Sequence, residues 1–249
     1  MKKLKRRAQA RRAQQQKGIL LKRIRLLLSV ASVCLIVIYG VVWSLEPTHF
    51  PITAVKFIGQ RHYLSHESLQ DAVLPHAQSG FFGLKVGALQ KQLLGLPWLK
   101  QVQVRKVWPN QLIITFVEHQ PVARWGETGL LSQSGVLFFP HLRKGEFGQL
   151  PLLQGPISRR PEIWQQYLVM NKTLSSAHLH IQRLMVAQRG SWDVQLSNGI
   201  LVFLGTNDIL SRLDQFLGAY QRDLHLKDAQ IAYADMRYTS GMAIGWKRS

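Results

Sequence analysis

Nine histidines, thirteen carboxylates and one cysteine are the side chains that could do acid–base, metal or nucleophilic chemistry in this chain. Their spacing favours none of the three. His62 and His66 stand four apart, as paired zinc ligands on a helix do, but Glu67 follows the second histidine instead of the first. His178 and His180 alternate near the end of a predicted helix with no carboxylate close in sequence, short of the ligand set a metal needs. No G-x-S-x-G elbow occurs, since "LSQSGV" lacks the first glycine. The glycines of "SGFFGLKVG" (79–87) lack the G-K-[ST] that cradles a phosphate. The carboxylates are scattered, with no spacing that favours a glycosidase pair. "NKT" (171–173) is formally a glycosylation acceptor, but it falls on a predicted helix. No catalytic residue, cofactor site or metal site is assigned.

The residues for recognition are better placed. Chain ends usually run polar and fray, yet "ADMRYTSGMAIGWKRS" (234–249) stays apolar almost to its end. It reads as strand, turn and strand, with Ser240 and Gly241 shaping the turn. If these strands lie at a sheet edge, their unpaired N–H and C=O groups can take an added strand. Tyr238 and Trp246 then serve as aromatic anchors and Arg237 as a charged one. By residue type alone, Tyr238 and Trp246 fit a core-closing role equally well.

These residues need elements to hold them, and charge comes first. The net charge is +19, and residues 1–25 hold 11 Lys and Arg with no acidic residue. The remaining 21 basic residues face 13 acidic ones, so the folded part is only moderately basic. "LLLSVASVCLIVIYGVVWSL" (26–45) carries no charge and is long enough to cross about 30 Å of hydrocarbon. It exceeds a secretory signal's apolar stretch and is followed by no A-x-A site. It therefore reads as an uncleaved anchor, with Trp43 at interfacial depth. The positive-inside rule puts the N-terminus in the cytoplasm and residues 46–249 outside it, in a bacterium the periplasm. The tail has no aromatic residue and no recognisable nucleic-acid fold, so it reads as a topology signal touching lipid headgroups, not nucleic acid. Cys34, the only cysteine, lies in the anchor, so the exported part has no disulfide.

Beyond a linker at 46–50, "ITAVKFIG" (52–59) reads as a strand and "SHESLQDAVL" (65–74) as a helix capped by Ser65 and stopped by Pro75. "LKVGALQKQLLGL" (84–96) is a second helix, and Trp98 after it is expected on the core. "WLKQVQVRKVW" (98–108) alternates at Val102 and Val104, "PN" turns, and "QLIITFVEHQ" (111–120) returns as a strand. The order is β-α-α-β-β. From Pro121 the rhythm changes to short strands, with a turn at Gly135 and extended pieces in 149–156. Ile163, Tyr167, Met170 and Leu174 mark a helix over 161–177 that opens on Pro161. Two strands about Asn198-Gly199 follow. A capped helix spans 206–224 with Ile209, Leu213, Phe216, Leu217 and Tyr220 on one side, before the two closing strands. The fold class is α+β: one transmembrane helix (26–45), a first module (51–119) and a mainly β second module with two helices (120–249).

"LPWLKQVQVRKVWPNQLIITFVEHQPVARW" (96–125) resembles the signature stretch of the FtsQ/DivIB family of bacterial cell division proteins. The matching residues are Leu96-Pro97-Trp98, Val102, Val104, Arg105, Trp108-Pro109, Leu112, Glu118, Pro121 and Trp125. The likeness extends to "GQRHYLSHESL" (59–69), "LPLLQGP" (150–156), "SWDVQLSNGI" (191–200) and "YADMRYTSGMAIGW" (233–246). One departure is Ser132 and Ser134, where the family often has an acidic residue before the turn glycine; Gly135 should still let the hairpin form. The resemblance implies a POTRA domain at 51–119 and the family's β domain at 120–249. It implies no enzymatic activity, residence in the inner membrane at the division septum, and a link from early division proteins to late septal peptidoglycan synthesis. It implies FtsB- and FtsL-type bitopic partners, an FtsB-type strand being added at the end of the β domain. Other divisome proteins are implied to bind through the POTRA domain and the anchor. It favours partner binding for Arg237, Tyr238, Ser240, Gly241 and Trp246, and more weakly for Arg189. The alternative reading from the residues is a membrane-tethered periplasmic cell-wall enzyme.

Overall fold

The computed structural model describes Arg25 and residues 28–143, 145–238 and 241–247. The tail expected over 1–25 thus lies outside the described residues except for Arg25. Helix α1, Leu28–Leu45, has a mean hydropathy of 2.3, and none of it is buried. Its 18 residues at about 1.5 Å each reach about 27 Å, close to the roughly 30 Å of a hydrocarbon layer. The chain forms two compact units, Met1–Glu118 and His119–Ser249.

The folded part of the first unit is a three-stranded sheet and three helices. Strand β1 (Ala54–Ile58) is followed by α2 (His66–Ala77), the one-turn α3 (Gly80–Gly83), α4 (Val86–Leu94), β2 (Leu99–Val107) and β3 (Gln111–Glu118). The sheet order is β1-β3-β2, with β1 parallel and β2 antiparallel to β3. Alternation makes the core, as expected: Val102 and Val104 on β2, and Leu112, Ile114 and Phe116 on β3, are buried beneath Leu69, Val73, Leu89 and Leu93 of the helices. Ser65 caps α2, its Oγ accepting the Ser68 N–H at 3.1 Å.

Two local expectations fail here. Pro75 does not stop α2, which continues to Ala77. Proline removes the bond to the Asp71 carbonyl, but Asp71 and Pro75 are both exposed, so water can satisfy that group. Buried Leu69, Ala72 and Val73 hold the rest of the helix down. Trp98 is half-buried and stays out of the core; it stacks on Tyr63, with centroids 4.3 Å apart and planes at 15°. Glu118, at the end of β3, is buried and accepts the backbone N–H groups of His62 (2.9 Å), Tyr63 (3.0 Å) and Leu64 (3.2 Å). It pins the loop before α2 to the sheet.

The second unit is a nine-stranded sheet with two helices. The strands are β4 (Pro121–Trp125), β5 (Gly129–Ser132), β6 (Leu137–Phe138), β7 (Leu152–Gln154), β8 (Ile181–Val186), β9 (Trp192–Leu196), β10 (Leu201–Gly205), β11 (Ile231–Asp235) and β12 (Ala243–Trp246). Helices α5 (Arg160–Leu174) and α6 (Ile209–Arg222) connect β7 to β8 and β10 to β11. Both pairs are parallel, as crossover connections require. The spatial order is β12-β11-β10-β9-β8-β7-β4-β5-β6.

One face of this sheet carries the core. Trp192, Val194 and Leu196 of β9 and Val202 and Leu204 of β10 are buried under Ile163, Tyr167, Met170 and Leu174 of α5 and Leu213, Phe216 and Tyr220 of α6. Asp193, Gln195, Leu201 and Phe203 alternate with them and face the other way. The cap expected on α6 is absent: Asp208 has a left-handed backbone and no side-chain capping bond. Arg212, one turn in, instead donates to the Leu204 carbonyl at 2.6 Å. The β5–β6 hairpin forms without an acidic residue, because the Ser132 hydroxyl accepts the Val136 N–H at 3.2 Å.

Candidate functional site

The closing strands hold a defined place in the large sheet. β11 runs parallel to β10, with Tyr233 opposite Leu201 and Asp235 opposite Phe203. β12 returns antiparallel to β11, with Gly245 opposite Tyr233 and Ala243 opposite Asp235. β12 is the last strand in the order, and among the described residues no strand pairs with its outer side. Alternate N–H and C=O groups along it therefore point away from the sheet.

On the face away from the helices, side chains of three strands meet. The ring of Tyr233 lies where a Cβ on Gly245 would have to be, so glycine is what lets the ring rest on the edge strand. Tyr233 meets Phe203 at 5.8 Å between centroids and 62° between planes. The Arg237 guanidinium lies 5.4 Å from the Phe203 centroid. It also grips Asp235, Nε to Oδ1 at 2.8 Å and Nη2 to Oδ2 at 2.6 Å, while the Arg237 N–H donates to Oδ1 at 3.0 Å. These bonds hold the Asp235 carboxyl below its ordinary range and raise that of Arg237. On β9, burial pushes the Asp193 carboxyl up, partly countered by the charge of Arg237. Nη1 of Arg237 makes no hydrogen bond among the described residues.

Tyr238 is 62% and Trp246 51% exposed, so neither closes the core. Ile231, Ala234 and Met236 do that, with Met242 and Ile244 partly buried beside them. Gly241 is exposed, with nothing near the position a Cβ would take. Ser240 lies outside the described residues. Residues 236–242 separate the two strands, a longer connection than the tight turn expected. Arg189 is exposed on the turn between β8 and β9. That turn lies at the same end of the sheet as Arg237, because Trp192 opens β9 opposite Gly205, which closes β10. The sequence reading missed Asp235, Tyr233 and Phe203. The Asp-x-Arg spacing was a usable signal for the first; the other two needed the order of strands. Among the described residues no three His, Cys, Asp or Glu side chains converge as a metal site would require.

Comparisons with known proteins bear on both units. The model described as "POTRA domain, FtsQ-type" matches residues 50–119, and "Cell division protein FtsQ/DivIB, C-terminal" matches 123–237. A relative from Xanthomonas campestris is 37% identical over 88% of this chain and 78% of its own length. One from Escherichia coli is 32% identical over 92% of this chain and 85% of its own. One from Coxiella burnetii is 31% identical over 84% and 85%. All three are named "Cell division protein FtsQ".

Proposed function

We propose, since the chain belongs to the FtsQ/DivIB family of cell division proteins, that it is a non-enzymatic scaffold of the division machinery. It sits in the inner membrane by one span, with its N-terminus in the cytoplasm and both folded units in the periplasm, at the septum. There it links early division proteins to late septal peptidoglycan synthesis. It binds an FtsB/FtsL-type bitopic complex, the FtsB-type chain adding a strand to β12.

The observation that supports this reading most is the outer side of β12, unpaired among the described residues and flanked by exposed Tyr238 and Trp246. An incoming strand satisfies the outward backbone groups for affinity, and side chains flanking the edge give specificity. Arg237 is already oriented by Asp235, so presenting its charge costs little further side-chain ordering. Tyr238→Ala and Trp246→Ala in the full chain should weaken capture of an FtsB-type partner several-fold while the thermal midpoint stays put. Unchanged capture by both variants would rule out this edge as the site.

A further inference from the structure

The end of the span runs into an aromatic ladder. Trp43, near the end of α1, packs on His49 at 4.1 Å and meets Phe50 edge-on at 6.0 Å. Phe50 meets Phe82 of α3 edge-on at 5.1 Å. The backbone is tied at the same place, the Phe81 N–H donating to the Phe50 carbonyl at 2.7 Å. Pro47 lies where a Cβ on Gly80 would collide, so the segment 46–50 can lie down on α3 only because residue 80 is glycine.

The β2–β3 turn is held at this end by separate bonds. Lys106 Nζ donates to the carbonyls of Phe81 (2.7 Å) and Leu84 (3.2 Å). On the other side of the turn, the Asn110 carbonyl accepts the Thr53 N–H at 3.1 Å and Asn110 Nδ2 donates to Thr53 Oγ1 at 2.7 Å. Between these two fixed residues stands Trp108, 71% exposed, the most exposed large apolar side chain described in this unit outside α1. Phe82 is 43% and Trp43 45% exposed. Exposed Lys85 lies beside Leu84.

The length of α1 fixes the depth of these groups. A span of about 27 Å leaves Leu45 at the margin of the hydrocarbon, so the segment 46–50 and whatever it is bonded to begin at headgroup level. Tryptophan favours that level, where its ring is half in apolar and half in polar surroundings. We propose that the first folded unit rests on the membrane its own helix crosses, with Phe82 and Trp108 seated in the headgroup layer beside Trp43. The occupant of this exposed aromatic face is the lipid surface, on the grounds of its continuity with the span. Lys85 then lies within reach of lipid phosphates. The unit is thus held at a set height and tilt instead of swinging on a linker.

The inference rests on reading α1 as a span, and the test separates the two. The full chain is placed in nanodiscs of phosphatidylethanolamine and phosphatidylglycerol, and a spin label's collisions with oxygen and with a water-soluble nickel chelate are compared. A label on native Cys34 tests the span. In a Cys34→Ser background, Lys85→Cys carries a label beside α3. Lys100→Cys carries the reference, six residues along β2 from Lys106, or about 20 Å away. The label at 85 should be several-fold less accessible to nickel than that at 100. Adding Phe82→Ser with Trp108→Ser should bring it up to the reference. Equal nickel access at 85 and 100, with Cys34 deep in lipid, overturns the proposal while leaving the span intact, and would assign the aromatic face to a protein partner. A label at 85 unmoved by the double substitution also overturns it. Nickel access at Cys34 would overturn the span itself.

Discussion

Arg237 belongs to a corner of charges and rings, and its side chain serves its own chain before any partner arrives. It bonds Asp235 twice through the guanidinium and lies over Phe203. It lowers the Asp235 carboxyl through these bonds and the Asp193 carboxyl through its charge. Arg237→Ala should therefore raise both, Asp235 the more because it loses hydrogen bonds as well as charge. Carboxyl carbon shifts followed through an NMR pH titration would read this, and a variant with both midpoints unmoved would refute it. The sign for stability follows from the lowered Asp235 value. The contribution of the ionised group is present above the ordinary aspartate range and fades as pH falls through its folded-state value. That Arg237, Tyr238 and Trp246 stand close together near the end of the chain was legible in the sequence. Which way they face was not. Residues 203 and 233 share a face only because β10 and β11 are parallel neighbours across a helical crossover.

At the scale of elements, Glu118 shows what one side chain can do for a module. Its carboxylate takes three backbone N–H groups from a loop more than fifty residues earlier in the chain. Bonds to a charged acceptor contribute about 1.5–3 kcal/mol each, less where water can replace them. The loop is largely exposed, so Glu118→Ala should cost the unit about 3 kcal/mol in all. Hydrogen exchange at the amides of 62–64 should lose its protection first, and retained protection there would show the pin to be dispensable. The sequence announced this glutamate only through a family resemblance, since nothing local marks a partner so far away. Elements with strong periodicity were legible for the opposite reason. Ile163, Tyr167, Met170 and Leu174 follow the helical repeat and are all buried. Val102 and Val104 follow the strand repeat and are buried too. The extent of α2 was misread because proline's local rule was set against a packed face the sequence does not display.

For the molecule as a whole, the succession of an apolar N-terminal helix, a POTRA domain and a mainly β region was legible, because charge asymmetry, a twenty-residue apolar run and a change of rhythm at Pro121 are all written locally. The nine-strand order was not, since it depends on crossovers that bring β7 to β8 and β10 to β11. That order is what leaves β12 outermost. If the scaffold reading is right, the intact chain gathers where division occurs. A fluorescent protein fused ahead of the basic tail should give a band at midcell in dividing cells. Uniform labelling of the envelope would count decisively against a divisome role.

Gly245, finally, has a genetic side. Every single-base change in a glycine codon that encodes a different amino acid introduces a side chain with a Cβ. At position 245 each such residue must first displace the Tyr233 ring from the edge strand, and with it the contact to Phe203. The codon has no gentle neighbour, and residue 241, although open space surrounds it, has a positive φ that side chains rarely adopt. Mutational tolerance along this short stretch is thus limited at 245 by the aromatic ring lying on it and at 241 by the backbone.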